Sequence, residues 1–297
     1  MFTGLSAFPL TPMSERGIHE DDFTRLIESL AAAGADSIGA LGSTGSYAYL
    51  TRAERARVAK LAVASAGDVP VMVGIGALRT RDVLALADDA QDAGASGVLL
   101  APVSYQNLSD DEVFGLYETV CHALSVPLCV YDNPGTTHFA FSDELHGRIA
   151  QLPQVRSIKI PGVPGDVEAV KARVERLRQL IPSDVTIGIS GDPLAATGLA
   201  AGCDGWYSAI GGLFPRTMLA ITRAAQASDS DQALALSARL NPLWALFQQH
   251  GGSLRVIATA AELQGRVGSP SLPLPLKTLE GADRQALADV LETLELE

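Results

Sequence analysis

The chain has 297 residues, 47% of them hydrophobic and 19% charged, which is enough apolar material for a folded core and too much for a disordered chain. Its 34 acidic residues outweigh 22 basic ones, a formal charge of −12, and such a surface repels phosphate backbones, so nucleic acid is excluded as the expected partner. Only four of the 22 cations are lysines, Lys60, Lys159, Lys171 and Lys277.

The N-terminus, MFTGLSAFPLTPM, lacks the basic start and longer apolar stretch of a signal peptide, and no run of about 18 apolar residues follows. The expectation is a soluble, cytoplasmic protein with no membrane association. GLSAF is the first of eight short apolar runs that read as strands. The others are SIGAL at 37–41, VPVMVGI at 69–75, GVLLAP at 97–102, VPLCVY at 126–131, VRSIKI at 155–160, VTIGIS at 185–190 and GWYSAI at 205–210. Between them lie helical patterns. Phe23, Leu26, Ile27 and Leu30 recur at three-and-four spacing, as do Val113, Leu116, Tyr117, Val120 and Leu124, each set marking one buried helix face. Thr51-Arg52-Ala53-Glu54 and Ser109-Asp110-Asp111-Glu112 are capping boxes that fix two helix starts.

From the third strand to the seventh, strand centres recur about every 30 residues, the pitch of a strand–helix–strand crossover. Regular alternation predicts a parallel sheet, and eight repeats over about 220 residues fit a closed (β/α)₈ TIM barrel. Gly74-Ile75-Gly76 lacks the third glycine of a dinucleotide fingerprint, and no Walker A loop occurs, so no nucleotide cofactor is expected. Cys121, Cys129 and Cys203 lack the close pairing of a zinc site and read as reduced core thiols; no metal is expected. Beyond residue 222 the strand pattern stops. Residues 1–222 read as the barrel and 223–297 as a C-terminal helical appendage, with a proline-rich connector, SPSLPLPL, at 269–276.

Barrel active sites are built at the C-terminal ends of the strands. Four loci there carry chemistry: Gly42-Ser43-Thr44-Gly45-Ser46 after strand two, Tyr105 after strand four, Tyr131 ending strand five and Lys159 in strand six. An inward-facing Lys159 is stripped of water, which disfavours its ammonium form and makes it a nucleophile toward carbonyls. An outward-facing one is an ordinary charge. Tyr131 precedes Asp132-Asn133-Pro134-Gly135, a turn-forming run that would lift its phenol to the barrel mouth as a proton carrier; otherwise it is a core aromatic. The GSTGS turn lets backbone amides approach an anion, or is merely a tight turn.

Together these loci resemble the dihydrodipicolinate synthase / N-acetylneuraminate lyase family of pyruvate-dependent class I aldolases. The resemblance spans nearly the whole chain, from FTGLSAFPLTPM to NPLWALF and PLPLKTL, and is sharpest in GSTGS, YDNPG and SIKI. It implies that Lys159 forms a Schiff base with the keto carbon of pyruvate or another 2-keto acid, and that Tyr131 donates and accepts protons. It further implies that Ser43 is the relay hydroxyl, that Thr44 with nearby amides holds the keto-acid carboxylate, and that Tyr105 completes the relay from a partner subunit. The segment around Tyr207 would line the pyruvate site. A homo-oligomer, dimer or homotetramer, follows from the same resemblance, with no cofactor.

Three positions depart from the family pattern. The arginine that grips the carboxylate of aspartate semialdehyde falls on Thr136, the glutamate after the GTTG turn is Ser46, and the residue two after the lysine, a threonine in sialic acid lyases, is Pro161. A neutral hydroxyl cannot replace a bidentate guanidinium, so both best-known substrates are disfavoured. His138, Arg79, Arg81 and Asp192 each read either as a substrate-facing group or as an ordinary loop residue. The expected activity is a Schiff-base lyase that adds pyruvate to, or releases it from, a small aldehyde or 2-keto-3-deoxy acid. The alternatives are a dihydrodipicolinate synthase with altered carboxylate recognition, a 2-keto-3-deoxy sugar acid dehydratase, and a non-catalytic paralogue that binds keto acids.

Overall fold

The computed structural model describes all 297 residues. Eight parallel strands, β1 (Gly4–Ala7), β2 (Ser37–Ala40), β3 (Val71–Gly74), β4 (Gly97–Leu100), β5 (Leu128–Tyr131), β6 (Val155–Ile160), β7 (Thr186–Ile189) and β8 (Gly205–Ser208), close into a barrel in chain order, with β8 pairing back onto β1. Each falls inside the run that predicts it. The strands are buried along almost their whole length, as expected where one face fills the barrel and the other meets helices.

The helices between them are α1 (Glu20–Ala33), α2 (Arg52–Ser65), α3 (Thr80–Asp92), α4 (Asp110–Ala123), α5 (Asp143–Ala150), α6 (Val167–Arg178), α7 (Ala195–Ala200) and α8 (Pro215–Gln226). The buried face of α1 is Phe23, Leu26, Ile27 and Leu30, the set given by the periodicity. Both capping boxes form: the Thr51 and Ser109 side chains accept from the Glu54 and Glu112 amides, and each glutamate reaches back to the cap amide. The eighth helix crosses residue 222, so the barrel layer ends at Gln226.

Four further helices follow, α9 (Ser230–Ala238), α10 (Asn241–Gln249), α11 (Leu254–Leu263) and α12 (Gly281–Leu294). They are tied to the barrel at several points. Ser271 in the proline-rich connector accepts from the Met13 amide through its carbonyl, and the Glu297 carbonyl accepts from Thr217 on α8. Glu262 on α11, almost fully buried, takes the Ser271 hydroxyl and the Arg284 guanidinium. No helix is long and apolar enough to cross a membrane.

The main hydrophobic core lies between strands and helices. A second, smaller cluster of Phe8, Met72, Leu99, Ala101, Cys129, Tyr131 and Tyr207 fills the barrel interior. Two of its seven members are sites named from the sequence, so the interior layer and the candidate site share walls.

Candidate active site

Along β6 alternate residues face opposite ways. Ile158 and Ile160 join the core beneath the helices, while Ser157 and Lys159 point into the barrel. That settles the orientation left open above: Lys159 is inward and 5% exposed. Its Nζ lies 3.9 Å from the centroid of the Phe8 ring, 4.1 Å from that of Tyr131 and 5.5 Å from that of Tyr207. Ring faces attract a cation, each desolvated contact contributing on the order of 1–2 kcal/mol. Dehydration is therefore only part of this lysine's setting; three aromatic rings surround it as well.

Phe8 reaches the lysine because the opposing strand end is bare. A Cβ at Gly39 would sit 2.4 Å from its ring, and one at Gly42 would sit 2.5 Å away. Gly188 serves Tyr207 in the same way, since a Cβ there would lie 2.2 Å from that ring. The Tyr207 hydroxyl is then held in the barrel by Ser157 Oγ at 2.6 Å, with Cys129 Sγ at 3.5 Å. Burial pushes the Cys129 thiol up to about 11, so it stays protonated near neutral pH and acts as a packing group.

Tyr131 is the register partner of Lys159 across the β5–β6 ladder. Its Oη meets Ser43 Oγ at 3.2 Å and accepts from Asn133 Nδ2 at 2.8 Å. The turn bearing Ser43 is held taut, with Leu41 at φ 57° and Ser46 at φ 51° bracketing it in the left-handed region that side chains disfavour. Within the turn, the Ser46 amide donates to the Ser43 carbonyl at 3.0 Å. The amides of Ser43 and Thr44 donate to no carbonyl of the chain. Both amides are therefore left without an acceptor in the backbone. Thr44 itself is buried.

Lys159, Tyr131 and Ser43 thus lie together, Thr44 follows Ser43 in the same turn, and Tyr207 joins the group through its side chain. Tyr105 does not. It is 91% exposed, in the loop after β4.

Leu41, Gly42, Tyr47, Gly76, Ala101 and Tyr131 line a shallow crevice beside the phenol. Arg55 on α2 braces that wall, donating to the carbonyls of Gly74 and Gly76 at 2.9 Å and lying over the Tyr47 ring. The carbonyls of the Gly74-Ile75-Gly76 run thus anchor Arg55. Burial pushes the Tyr47 phenol up to about 12.

The chain belongs to the dihydrodipicolinate synthetase family. That family's model matches residues 1–294. The 4-hydroxy-tetrahydrodipicolinate synthase of Persephonella marina is 29% identical over 98% of each chain, and that of Methylococcus capsulatus is 32% identical over 78% of this chain and 79% of its own. Among solved structures, a dihydrodipicolinate synthase from Agrobacterium tumefaciens superposes with a TM-score of 0.94 at 45% identity, covering 99% of this chain and 98% of that one. One from Acinetobacter baumannii, solved as a complex with pyruvate, superposes at 0.89 with 26% identity and full coverage of both chains.

The structure also places the mouth residues whose roles the sequence left open. Thr136 lies exposed in a one-turn helix, Pro134–Thr137, where the resemblance leads one to expect an arginine. His138 closes that turn at φ 59° and is exposed. Arg79 and Arg81 are exposed at the start of α3. Asp192 proves to be a strut. Buried at the end of β7, it accepts from Trp206 Nε1, the Ser208 hydroxyl and the Ile210 amide at 2.9–3.1 Å, locking β8 to the turn.

Sequence reasoning missed Phe8 against Lys159, Ser157 on the Tyr207 hydroxyl and Asn133 on the Tyr131 hydroxyl. Bare glycines in SIGAL and TIGIS were the available signal for the two rings. It also missed a buried pair behind the site: His146 Nε2 lies 3.5 Å from Asp132 Oδ2, and the imidazole stacks on Phe141. Burial pushes Asp132 up to about 7, against the pull of Arg173, and takes His146 down to about 3.

Proposed function

We propose that this protein is a Schiff-base aldolase that joins pyruvate to a small aldehyde, or releases it from a 2-keto-3-deoxy acid. The observation that carries the reading is the placement of Lys159. It is buried, flanked by ring faces and paired in register with a tyrosine whose hydroxyl meets a serine.

In this reading the unprotonated Nζ attacks the keto carbon, and the oxygen leaves as water after two proton transfers, giving a protonated imine. The imine draws electrons from the neighbouring carbon, which loses a proton and becomes an enamine. Tyr131 carries that proton, with Ser43 as its partner. The enamine carbon then bonds to the aldehyde carbon, the new alkoxide takes a proton from the phenol, and water hydrolyses the imine to free Lys159. Cleavage runs the same steps backwards. The unpaired amides of Ser43 and Thr44 support a seat for the keto-acid carboxylate.

Thr136 in place of a guanidinium supports an aldehyde without a distal carboxylate. Tyr105, Tyr49 and Leu78 are large apolar side chains exposed at 91%, 50% and 66% around the β2–β4 loops. These exposed side chains support a homo-oligomer in which the Tyr105 of one protomer reaches the partner's Tyr131. Three free, buried cysteines fit a reducing compartment and support a cytoplasmic location.

The test is product analysis on a panel of aldehydes with pyruvate and of 2-keto-3-deoxy acids alone. Carbon–carbon bond formation or pyruvate release supports the aldolase. Loss of water with retention of every carbon would assign a dehydratase instead.

A further inference from the structure

We infer that Asn133 is a positioning residue for proton transfer, its side-chain amide fixing the direction in which the Tyr131 phenol passes its proton. The inference rests on the proposed role of Tyr131.

The turn after β5 is pinned at both sides of Asn133. Before it, the Asp132 amide donates to the Lys159 carbonyl at 3.0 Å. At Asn133 itself the backbone carbonyl accepts from the amides of Thr136 and Thr137 at 3.0 Å, and from the Thr137 hydroxyl at the same distance. Pro134 then starts a helical turn with its φ already fixed. With its backbone held in this way, the Asn133 side chain folds back over two residues and puts Nδ2 2.8 Å from Tyr131 Oη.

A phenol carries one proton and can accept two hydrogen bonds, whereas an amide nitrogen only donates. With one acceptor position occupied by Asn133, the single phenol proton points elsewhere. The other polar group on that oxygen is Ser43 Oγ, at 3.2 Å. The amide therefore orients the proton toward the serine and the substrate side. It also stays hydrogen-bonded to the oxygen after the proton has left, when a donor counts most. In this scheme Asn133 acts on the substrate only through the tyrosine hydroxyl.

The experiment compares the unaltered protein with Asn133→Asp and Asn133→Leu, two replacements of nearly the same size that lack the N–H donor. Two quantities are read: the rate at which the C3 hydrogens of pyruvate exchange with deuterium in D₂O, and the amount of pyruvate trapped on Lys159 by borohydride. Both variants should lose about 10- to 100-fold in exchange, the scale of a lost hydrogen bond to a developing charge. Trapping should stay at the level of the unaltered protein. Exchange in Asn133→Asp equal to that of the unaltered protein overturns the inference, as does a parallel fall of exchange and trapping. If the unaltered protein itself neither exchanges nor traps, the aldolase reading fails first and takes the inference with it.

Discussion

Tyr131 and Lys159 are register partners on adjacent parallel strands, and the lysine Nζ lies 4.1 Å from the tyrosine ring centroid. The ring and the hydroxyl of Tyr131 thus have separable tasks. The ring forms part of the aromatic surround of Nζ, and the hydroxyl belongs to the Ser43–Asn133 network. Tyr131→Phe keeps the first and removes the second. Turnover should fall by about 10²–10⁴-fold, the usual contribution of a positioned proton carrier, while an imine still forms. Stopped-flow turnover alongside trapping of the same variant checks this.

The Phe8 ring owes its position to two missing side chains. Gly39→Ala places a Cβ where the ring now sits, and overpacking of this kind costs about 1–3 kcal/mol. In a Phe8→Leu background the same alanine has room, so the double variant should be more stable than the sum of the two single losses. Urea midpoints of the four proteins give the coupling. Strict additivity would show that the ring and the bare strand are independent.

Much of this was legible in the sequence. Eight apolar runs became eight barrel strands, because strands buried on both faces are written as short continuous apolar segments. Lys159 in SIKI, Tyr131 before a turn and Ser43 in the GSTGS turn could be singled out because the barrel fold puts active sites at strand ends. What could not be read were contacts made across the barrel. Phe8 and Lys159 are far apart in the chain, and no local pattern brings a phenylalanine of one strand end to a lysine of another. Asn133 was hidden by its own residue type, since an asparagine before Pro-Gly reads as a turn former. His146 lies on α5 and meets Asp132 only through the irregular segment between them.

The Asp132–His146 pair carries a pH signature with a definite sign. In the folded protein burial keeps Asp132 protonated up to about 7 and His146 neutral down to about 3. In the unfolded chain the aspartate releases its proton near 3.8 and the histidine takes one below 6.5. Between those two values each state holds one proton on the pair, on Asp132 when folded and on His146 when unfolded, so the pair contributes no slope. Asp132→Asn removes one side. Stability should then fall as pH drops from 6.5 toward 3, by up to about 1.4 kcal/mol per pH unit. His146→Leu should do the reverse, losing stability as pH rises from about 4 to about 7. Denaturation at several pH values, with Arg173 and Asp143 left unaltered beside the pair, reads both slopes.

Thr136 makes the substrate preference testable. It stands exposed at the barrel mouth, beyond the Tyr131 network. Thr136→Arg restores a bidentate cation there, and kcat/KM for an aldehyde bearing a distal carboxylate should rise by about 10- to 100-fold. The value for an uncharged aldehyde should hardly move. Equal effects on both aldehydes would place carboxylate recognition elsewhere in the mouth.

The central claim is that Lys159 forms the imine, and reduction with borohydride in the presence of pyruvate followed by peptide mass measurement tests it most directly. Among Lys60, Lys159, Lys171 and Lys277, only the peptide containing Lys159 should gain a carboxyethyl group on Nζ, and omitting pyruvate should abolish the label. An unmodified Lys159, or a label on any of the other three lysines, would contradict the account.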